Sequence, residues 1–493
     1  MRVAFQNLYE KAFEKYRDEL LDSKLISSIS TSQSSPLIRK ACQDANINYW
    51  PWEADLLQTM AAGKLVCQLS NRISLQILDC DPGKNSSRHM HKEYLRQLLA
   101  YESHYLYDLI YEYLWTRALH LAMESRATYS ICYSLFHSFG DHIIAEAFKS
   151  IGLPVYIAIP DYIIKNTPGE MPYYLLYNYS THKYVKKSYS TEKPNPNEIQ
   201  RVAEVLHNCL EKDVYYSSRA TDIIEKQTMH GKNEIIREIA SGNNTGISTL
   251  AITTLIAECK RIVMGRQINS TEYANPFILW CLNLEPESTI NPLGGYFYDT
   301  LLFGSLLTKI CRSAGINLIV REHPAFLAMK IGSAAANAHI FNQPNLRPRS
   351  AAWYKQIVGI QGFKGFDNTN PISTILDHDM CVGVACINGT SCLNAIRRDK
   401  LALVGAAAWF SQHHTCATIN TEKGIYKAVQ LIKAFLVKEV HLDPDFAKLS
   451  LQLAKQYVNY HIMVESSYEG EGVMPSPSAL LDITSSIRND ALM

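Results

Sequence analysis

Four short polar stretches in this 493-residue chain carry residue types that could do chemistry together. The first is Arg321-Glu-His-Pro324, which closes the apolar run Ile316 to Val320. Pro324 suits the first position of a new helix, where free N–H groups and the helix dipole favour a phosphate. His323 could bind that phosphate or protonate it as it leaves, and Arg321 could add charge. The plain alternative is a strand-end histidine that caps a helix. The second stretch, Glu285-Pro-Glu-Ser288, holds two carboxylates in a proline turn. They could form a polar latch or orient an acceptor hydroxyl, and the turn sends at most one of them inward. The third, Gly389-Thr-Ser391, is a small-residue turn ahead of a helical pattern. Glycine permits close backbone approach, and Thr390 and Ser391 supply hydroxyls for a nucleotide phosphate or ribose. An ordinary Ser/Thr cap is the competing reading. In the fourth, His137 and Asp141 flank a glycine turn, and either could activate an acceptor or simply shape the turn.

These stretches sit at the ends of apolar runs, which says what must position them. Pro276 to Trp280 reads as a buried parallel strand, Tyr296 to Ser313 as a helix closed by Gly315, and Ile316 to Val320 as a second strand. That is a βαβ unit, and in such units ligands gather at the carboxyl ends of the strands. Asp379 to Ile387 and Leu401 to Val404 continue the pattern, with Asn388 to Ile396 as a strand-to-helix turn. An earlier block repeats it: strand Tyr129 to Phe136, helix Ile143 to Ile151 stopped by Gly152, strand Leu153 to Ile159.

The remaining segments read as follows. Residues 1–62 suggest helices with a Ser/Thr break at Ser27 to Ser35, and Tyr94 to Met123 suggests one long helix. Lys64 to Leu69 and Ile73 to Leu78 are strand candidates, and 165–200 is a surface excursion with one hairpin. Glu422 to Glu439 and Asp443 to Met463 read as amphipathic helices, followed by a loose tail after Ser466. The expected class is α/β: two facing Rossmann-like domains with helical N-terminal, linking and C-terminal segments. The expected limits are 1–215 (acceptor side), 216–272 (helical linker), 273–430 (nucleotide-sugar side) and 431–493 (helices and tail). The B-type architecture of glycosyltransferases fits, as do other two-domain α/β enzymes.

Composition narrows the classes. Apolar residues make up 47% and charged ones 19%, with a net charge of +1, so bulk nucleic-acid binding is not expected. No apolar run approaches the ~18 residues of a membrane span, and the first residues lack the apolar core of a signal peptide. The twelve cysteines are scattered with no Cys-x-x-Cys pair, which suggests reduced, buried thiols in a cytoplasmic protein without structural zinc. Asn-x-Ser/Thr matches at Asn85, Asn178, Asn243, Asn269 and Asn388 are taken as chance. Gly294-Gly295 is too short for a dinucleotide loop. Gln412-His-His-Thr415 lacks a third ligand for a metal, and the tyrosines of Tyr173 to Tyr184 read as exposed hairpin residues more than as a sugar-stacking platform.

The order of these motifs resembles the capsule polysaccharide biosynthesis family of glycosyltransferases, which includes enzymes that transfer Kdo from CMP-Kdo. The resemblance rests on Pro286-Glu-Ser288 with Asn291 to Asp299, on Val320-Arg-Glu-His-Pro324, and on Asn388-Gly-Thr390 through Ala395 followed by Leu403 to Trp409. Leu98 to Glu102 and Phe136 to Asp141 add to it, so it spans about residues 90–430. It implies a CMP-activated donor such as Kdo and no cofactor beyond that donor. It also implies a glycan or glycolipid acceptor and a cytoplasmic enzyme, peripheral at the inner face of the membrane. Within the second stretch it singles out Glu287 with Ser288, and by analogy it turns Ser373 toward the nucleotide. The chain departs from the family at its third motif: Cys392 stands where the family has glycine and Asn394 where it has a carboxylate. Asn394 keeps a hydrogen bond but not the charge. A UDP- or GDP-sugar transferase or epimerase, and a non-catalytic scaffold, are the competing classes.

Overall fold

The structure is a computed structural model. It describes residues 2–6, 13–14, 17–18, 21–22, 26–31, 34–61, 104–132, 139–160, 173–185, 195–211, 258–268, 273–283, 294–323, 351–437, 446–463, 466–469, 472–475, 483 and 487. The chain divides into two compact units, one of residues 1–195 with 458–493, the other of residues 196–457.

The first unit is built on β1 (Val3–Gln6), β2 (Ile26–Thr31), α1 (Pro36–Asp44), β3 (Asn48–Pro51), α2 (Trp52–Ala61), α3 (His104–Glu124), β4 (Tyr129–Cys132), α4 (Phe139–Ser150), β5 (Val155–Pro160), β6 (Tyr173–Asn178) and β7 (Lys183–Tyr184). Strands β1 to β5 are mutually parallel in the order β3-β2-β1-β4-β5, and β6 joins β5 antiparallel. The helices expected over 1–62 are therefore partly strands. Ile26-Ser-Ser-Ile-Ser-Thr31, read as a polar break, is a buried strand beside β1. Serines pass for loop residues in sequence, yet small side chains with β-branched neighbours pack well on a covered sheet. Ser30 and Ser130 satisfy their hydroxyls on backbone carbonyls of β1. On one face Val3, Phe5, Ile29, Tyr129, Ile131 and Tyr156 pack with Ile38 and Cys42 of α1. The tyrosines expected on an exposed hairpin are also inside: Tyr177 is buried on β6, an internal strand, and Tyr179, just past its end, is buried against α4.

The second unit contains α5 (Pro196–Glu211), β8 (Phe277–Cys281), a 3₁₀ turn (Gly295–Tyr298), α6 (Thr300–Ala314), β9 (Asn317–Arg321), α7 (Ala351–Gly359), β10 (Phe363–Phe366), α8 (Ile372–Leu376), β11 (Cys381–Cys386), α9 (Ser391–Arg397), β12 (Leu401–Val404), β13 (Cys416–Thr418), α10 (Glu422–Leu436) and α11 (Phe446–Tyr460). Its six described strands are all parallel, in the order β10-β9-β8-β11-β12-β13. All five side chains of β8 are buried, as its continuous apolar run requires at the centre of a sheet covered on both faces. Asp299 caps α6 by accepting from Leu301 N at 3.0 Å. Gly315 ends the helix at φ 74°, a left-handed conformation that costs glycine nothing.

The C-terminal segment departs from the expectation of helices and a loose tail. After α11, β14 (His461–Met463) pairs antiparallel with β6 and extends the first sheet. A hairpin of β15 (Ser466–Glu469) and β16 (Gly472–Pro475) follows, and Ile483 and Ile487 are buried in the first unit's core. The limits 1–215 and 431–493 thus differ from the observed units: α5 packs with the second unit, and the chain returns to the first after residue 457. The strand candidates at 64–69 and 73–78, and the linker over 216–257, lie outside the described residues.

Candidate functional site

Counted in chain order, the second sheet runs 3-2-1-4-5-6. The first and fourth strands, β8 and β11, are neighbours from which the chain winds off in opposite directions. In doubly wound sheets the carboxyl ends of two such strands flank the crevice where ligands bind. Cys281 pairs with Arg321 across β8 and β9, and Trp280 with Ala385 across β8 and β11. The residues that follow the three strands therefore leave one edge of the sheet together. His323 and the Asn388 to Ser391 turn are both on that edge.

The turn after β11 is held from β8. Asn283 donates from Nδ2 to the carbonyl of Asn388 at 2.6 Å, and its Oδ1 accepts from the Cys386 thiol at 3.1 Å. Gly389 is required here, since a Cβ on it would stand 2.8 Å from Cys386 Sγ. Thr390 adopts φ −66° and ψ −19°, and its hydroxyl makes no capping bond, so the simple cap is not what the structure shows. Ser391 hydrogen-bonds to the Cys281 thiol. Burial pushes that thiol up to about 11, while the Arg321 charge and the Ser391 bond pull the other way, so it is protonated at neutral pH. Asn394 is half-buried on α9, and its Oδ1 has no hydrogen-bond partner among the described residues.

At the end of β9 the polar side chains divide their duties. The Arg321 guanidinium donates to the carbonyls of Asp367 and Asn370 at 3.1 and 2.7 Å. The charge read from sequence as a phosphate ligand is thus engaged in holding the loop after β10. That loop is wound around the buried Asp367. Its Oδ1 accepts from the backbone N–H groups of Thr369 and Asn370, and its Oδ2 from Tyr273. Ser373, half-buried on α8, follows directly. Glu322, only 1% exposed, accepts from the Tyr354 hydroxyl and from His323 N, the latter at 2.6 Å. Asn368 Oδ1 accepts from Glu322 N at 2.8 Å. His323 itself is half-buried, its backbone pinned by the carboxylate before it.

In the first unit Asp141 lies in the first turn of α4 at 1% exposure. A carboxylate at a helix N-terminus is favoured by the dipole, and burial keeps it from bulk substrate. One turn on, the Tyr179 hydroxyl is held between His142 Nε2 at 2.7 Å and Glu146 Oε1, with Lys149 Nζ 4.9 Å from the centre of its ring. Burial, then the Glu146 charge, holds the Tyr179 phenol well above its usual range. Sequence reasoning missed this cluster because its tyrosine was read as exposed. His137, Glu287, Ser288 and Pro324 lie outside the described residues.

Other sequence features resolve as structure. Asn178 is buried, with Oδ1 accepting from Ser180 N and Thr181 N, the geometry of a turn and not of a glycan acceptor. Among the described residues no group of three His, Cys, Asp or Glu side chains is placed to hold a metal. The nine cysteines whose side chains are described are buried free thiols. His413 is buried with Nδ1 2.9 Å from the Thr415 hydroxyl, and burial, then the neighbouring His414, lowers its pKa to about 4. No helix among the described residues is long and apolar enough to cross a membrane.

No protein-family model matches the chain, and neither does any curated protein. Among solved structures, a UDP-GlcNAc 2-epimerase from Neisseria meningitidis, bound to UDP-GlcNAc, is similar at 10% identity. The match covers 93% of this chain and 98% of that one at a TM-score of 0.17.

Proposed function

We propose that this chain is a sugar-nucleotide-dependent glycosyltransferase whose second unit holds the nucleotide. The donor is CMP-activated, a ulosonic acid such as Kdo, and the acceptor is a glycan or glycolipid of a surface polysaccharide. The observation that carries the reading is the topology of the second sheet. Its switch point falls between β8 and β11, and the residues there are those whose types suit a nucleotide: Gly389, Thr390, Ser391 and, one strand over, His323. The motif resemblance supports the same residues independently.

In such a transfer the bond between the anomeric carbon and the phosphate oxygen breaks, and its electron pair stays with the phosphate. The acceptor oxygen bonds to the anomeric carbon and gives up its proton. His323 would neutralise the leaving phosphate, by a hydrogen bond or by a proton, as charge develops on it. The half-buried Asn394, standing where the family carries a carboxylate, would meet the donor sugar through its amide without adding negative charge beside an anionic donor.

A thermal-shift panel of CMP, UDP and GDP tests the reading. A ligand at 100 times its Kd stabilises the folded state by about 2.7 kcal/mol, several degrees in Tm. Stabilisation by CMP is expected. A response to UDP or GDP alone would move the assignment to transferases or epimerases using those donors. Silence toward all three would remove the nucleotide.

A further inference from the structure

Asn283 is the last described residue after β8, and it reaches across the switch point to the turn on the neighbouring strand. Two bonds fix its amide in one orientation. Cys386 is a thiol donor whose sulfur lies 3.1 Å from Oδ1, so Nδ2 is turned onto the Asn388 carbonyl at 2.6 Å. The residue is 8% exposed, so water competes poorly for either bond. Gly389, next in the turn, already stands so close to Cys386 that a Cβ would meet its sulfur at 2.8 Å. The turn is thus pressed onto β11 from below and drawn toward β8 by one side chain. Among the described residues the last ladder bond before the turn is Ala406 N to Ile387 O at 2.8 Å, and Cys392 N and Leu393 N bond within the turn itself, to Gly389 O and Thr390 O.

We infer that Asn283 is a positioning residue for nucleotide binding: its amide sets the turn so that Gly389 N–H and the Thr390 hydroxyl face the ligand. The inference rests on the nucleotide reading given above. It assigns to Asn283 no contact with the ligand.

Asn283→Asp is the informative change, because it is isosteric and titrates. At pH 7.5 its carboxylate would still accept from Cys386 but would oppose the Asn388 carbonyl with a second acceptor. CMP affinity should fall about tenfold, the scale of one buried acceptor left unmatched. On acidification to about pH 5 the carboxyl group gains a proton, its pKa raised by burial, and the new O–H donates to Asn388 O. The ratio of variant to wild-type affinity, taken at each pH so that titration of the nucleotide cancels, should then recover toward one. Amide hydrogen exchange of the unliganded protein should show faster exchange over 388–393 in the variant at pH 7.5 and little change in β8.

Equal CMP affinity of folded variant and wild type at pH 7.5 would overturn the inference, as would a loss that does not respond to pH. If Asn283→Asp fails to fold, Asn283→Ser, which keeps a donor on a shorter side chain, must show the same local exchange and a weaker loss of affinity. Wild-type protein that binds none of CMP, UDP and GDP would overturn the nucleotide reading and this inference with it. Exchange at 388–393 would then report only whether Asn283 shapes the turn.

Discussion

At the scale of single residues, the proposed transfer and the fold each give a separable prediction. His323→Ala should lower the turnover number by roughly 10²–10⁴ while nucleotide affinity falls only modestly, since a group acting on the leaving phosphate matters most as the bond breaks. Steady-state transfer from CMP-Kdo, with circular dichroism as the folding control, measures it; near-wild-type turnover would leave His323 a capping residue. His413 governs a pH response instead. Its pKa is about 4 in the folded chain against an ordinary 6.5, so between those values the unfolded chain binds the proton first. The stability it contributes is complete above pH 6.5 and is lost as pH falls toward 4, by up to about 3 kcal/mol. Urea denaturation at pH 7.5 and 5.0 should show the loss in wild type and a flatter profile in His413→Gln. At this scale the sequence was legible in where His323 and Thr390 fall, just past the ends of two strands of one sheet. It was silent on Asn283 and Glu322, whose parts depend on partners 105 and 32 residues away in the chain. It did not show that Arg321 holds loop carbonyls or that Asp141 is buried, because both are properties of the fold.

Among the elements, the packing of α6 on β8 tests how closely the site's floor is built. Gly304 lies on α6 over the Trp280 ring, and a Cβ there would come within 2.4 Å of the ring carbons. Gly304→Ala should therefore destabilise the second unit by about 1–3 kcal/mol, the usual cost of overpacking, because neither the helix nor a fully buried tryptophan has room to move. Chemical denaturation followed by tryptophan fluorescence is the measurement, and an unchanged midpoint would show that the helix shifts freely. The elements around the site were readable from sequence because both their signals agree: β8, β11 and β12 are runs without a polar side chain, β9 has the apolar centre Leu318 to Val320, and α6 is closed by a capping aspartate and a left-handed glycine. The short strands β10 and β13 were not, being four and three residues with too few side chains to set a period. β2 failed for a different reason, as serine favours turns in the absence of a sheet and the pairing that overrides it is with β1, more than twenty residues earlier.

For the whole molecule, the return of the chain to its first unit is the feature no local pattern announces. β14 adds to β6 at the edge of the first sheet, and Ile483 and Ile487 enter its core. Deleting residues 458–493 should leave β6 unpaired over Tyr173 to Leu175, where β14 lies, and open two apolar gaps, each isoleucine worth roughly 1.5–3 kcal/mol of burial. Limited proteolysis of the truncated chain should then cut within 1–195 well before it cuts within 196–457; equal resistance of the two would show the return segment to be dispensable. The same return sets a timetable during synthesis. The second unit is one uninterrupted stretch, complete once residue 457 has left the ribosome, whereas the first, begun with residue 3, must wait for residues 461–463 to supply its last strand. At ~5–20 residues per second that wait lasts on the order of tens of seconds. Through it the half-made first sheet carries an open β6 edge, the surface on which a nascent chain pairs wrongly with its neighbours on the same message, so a holding chaperone should be needed for the half of the protein that is made first.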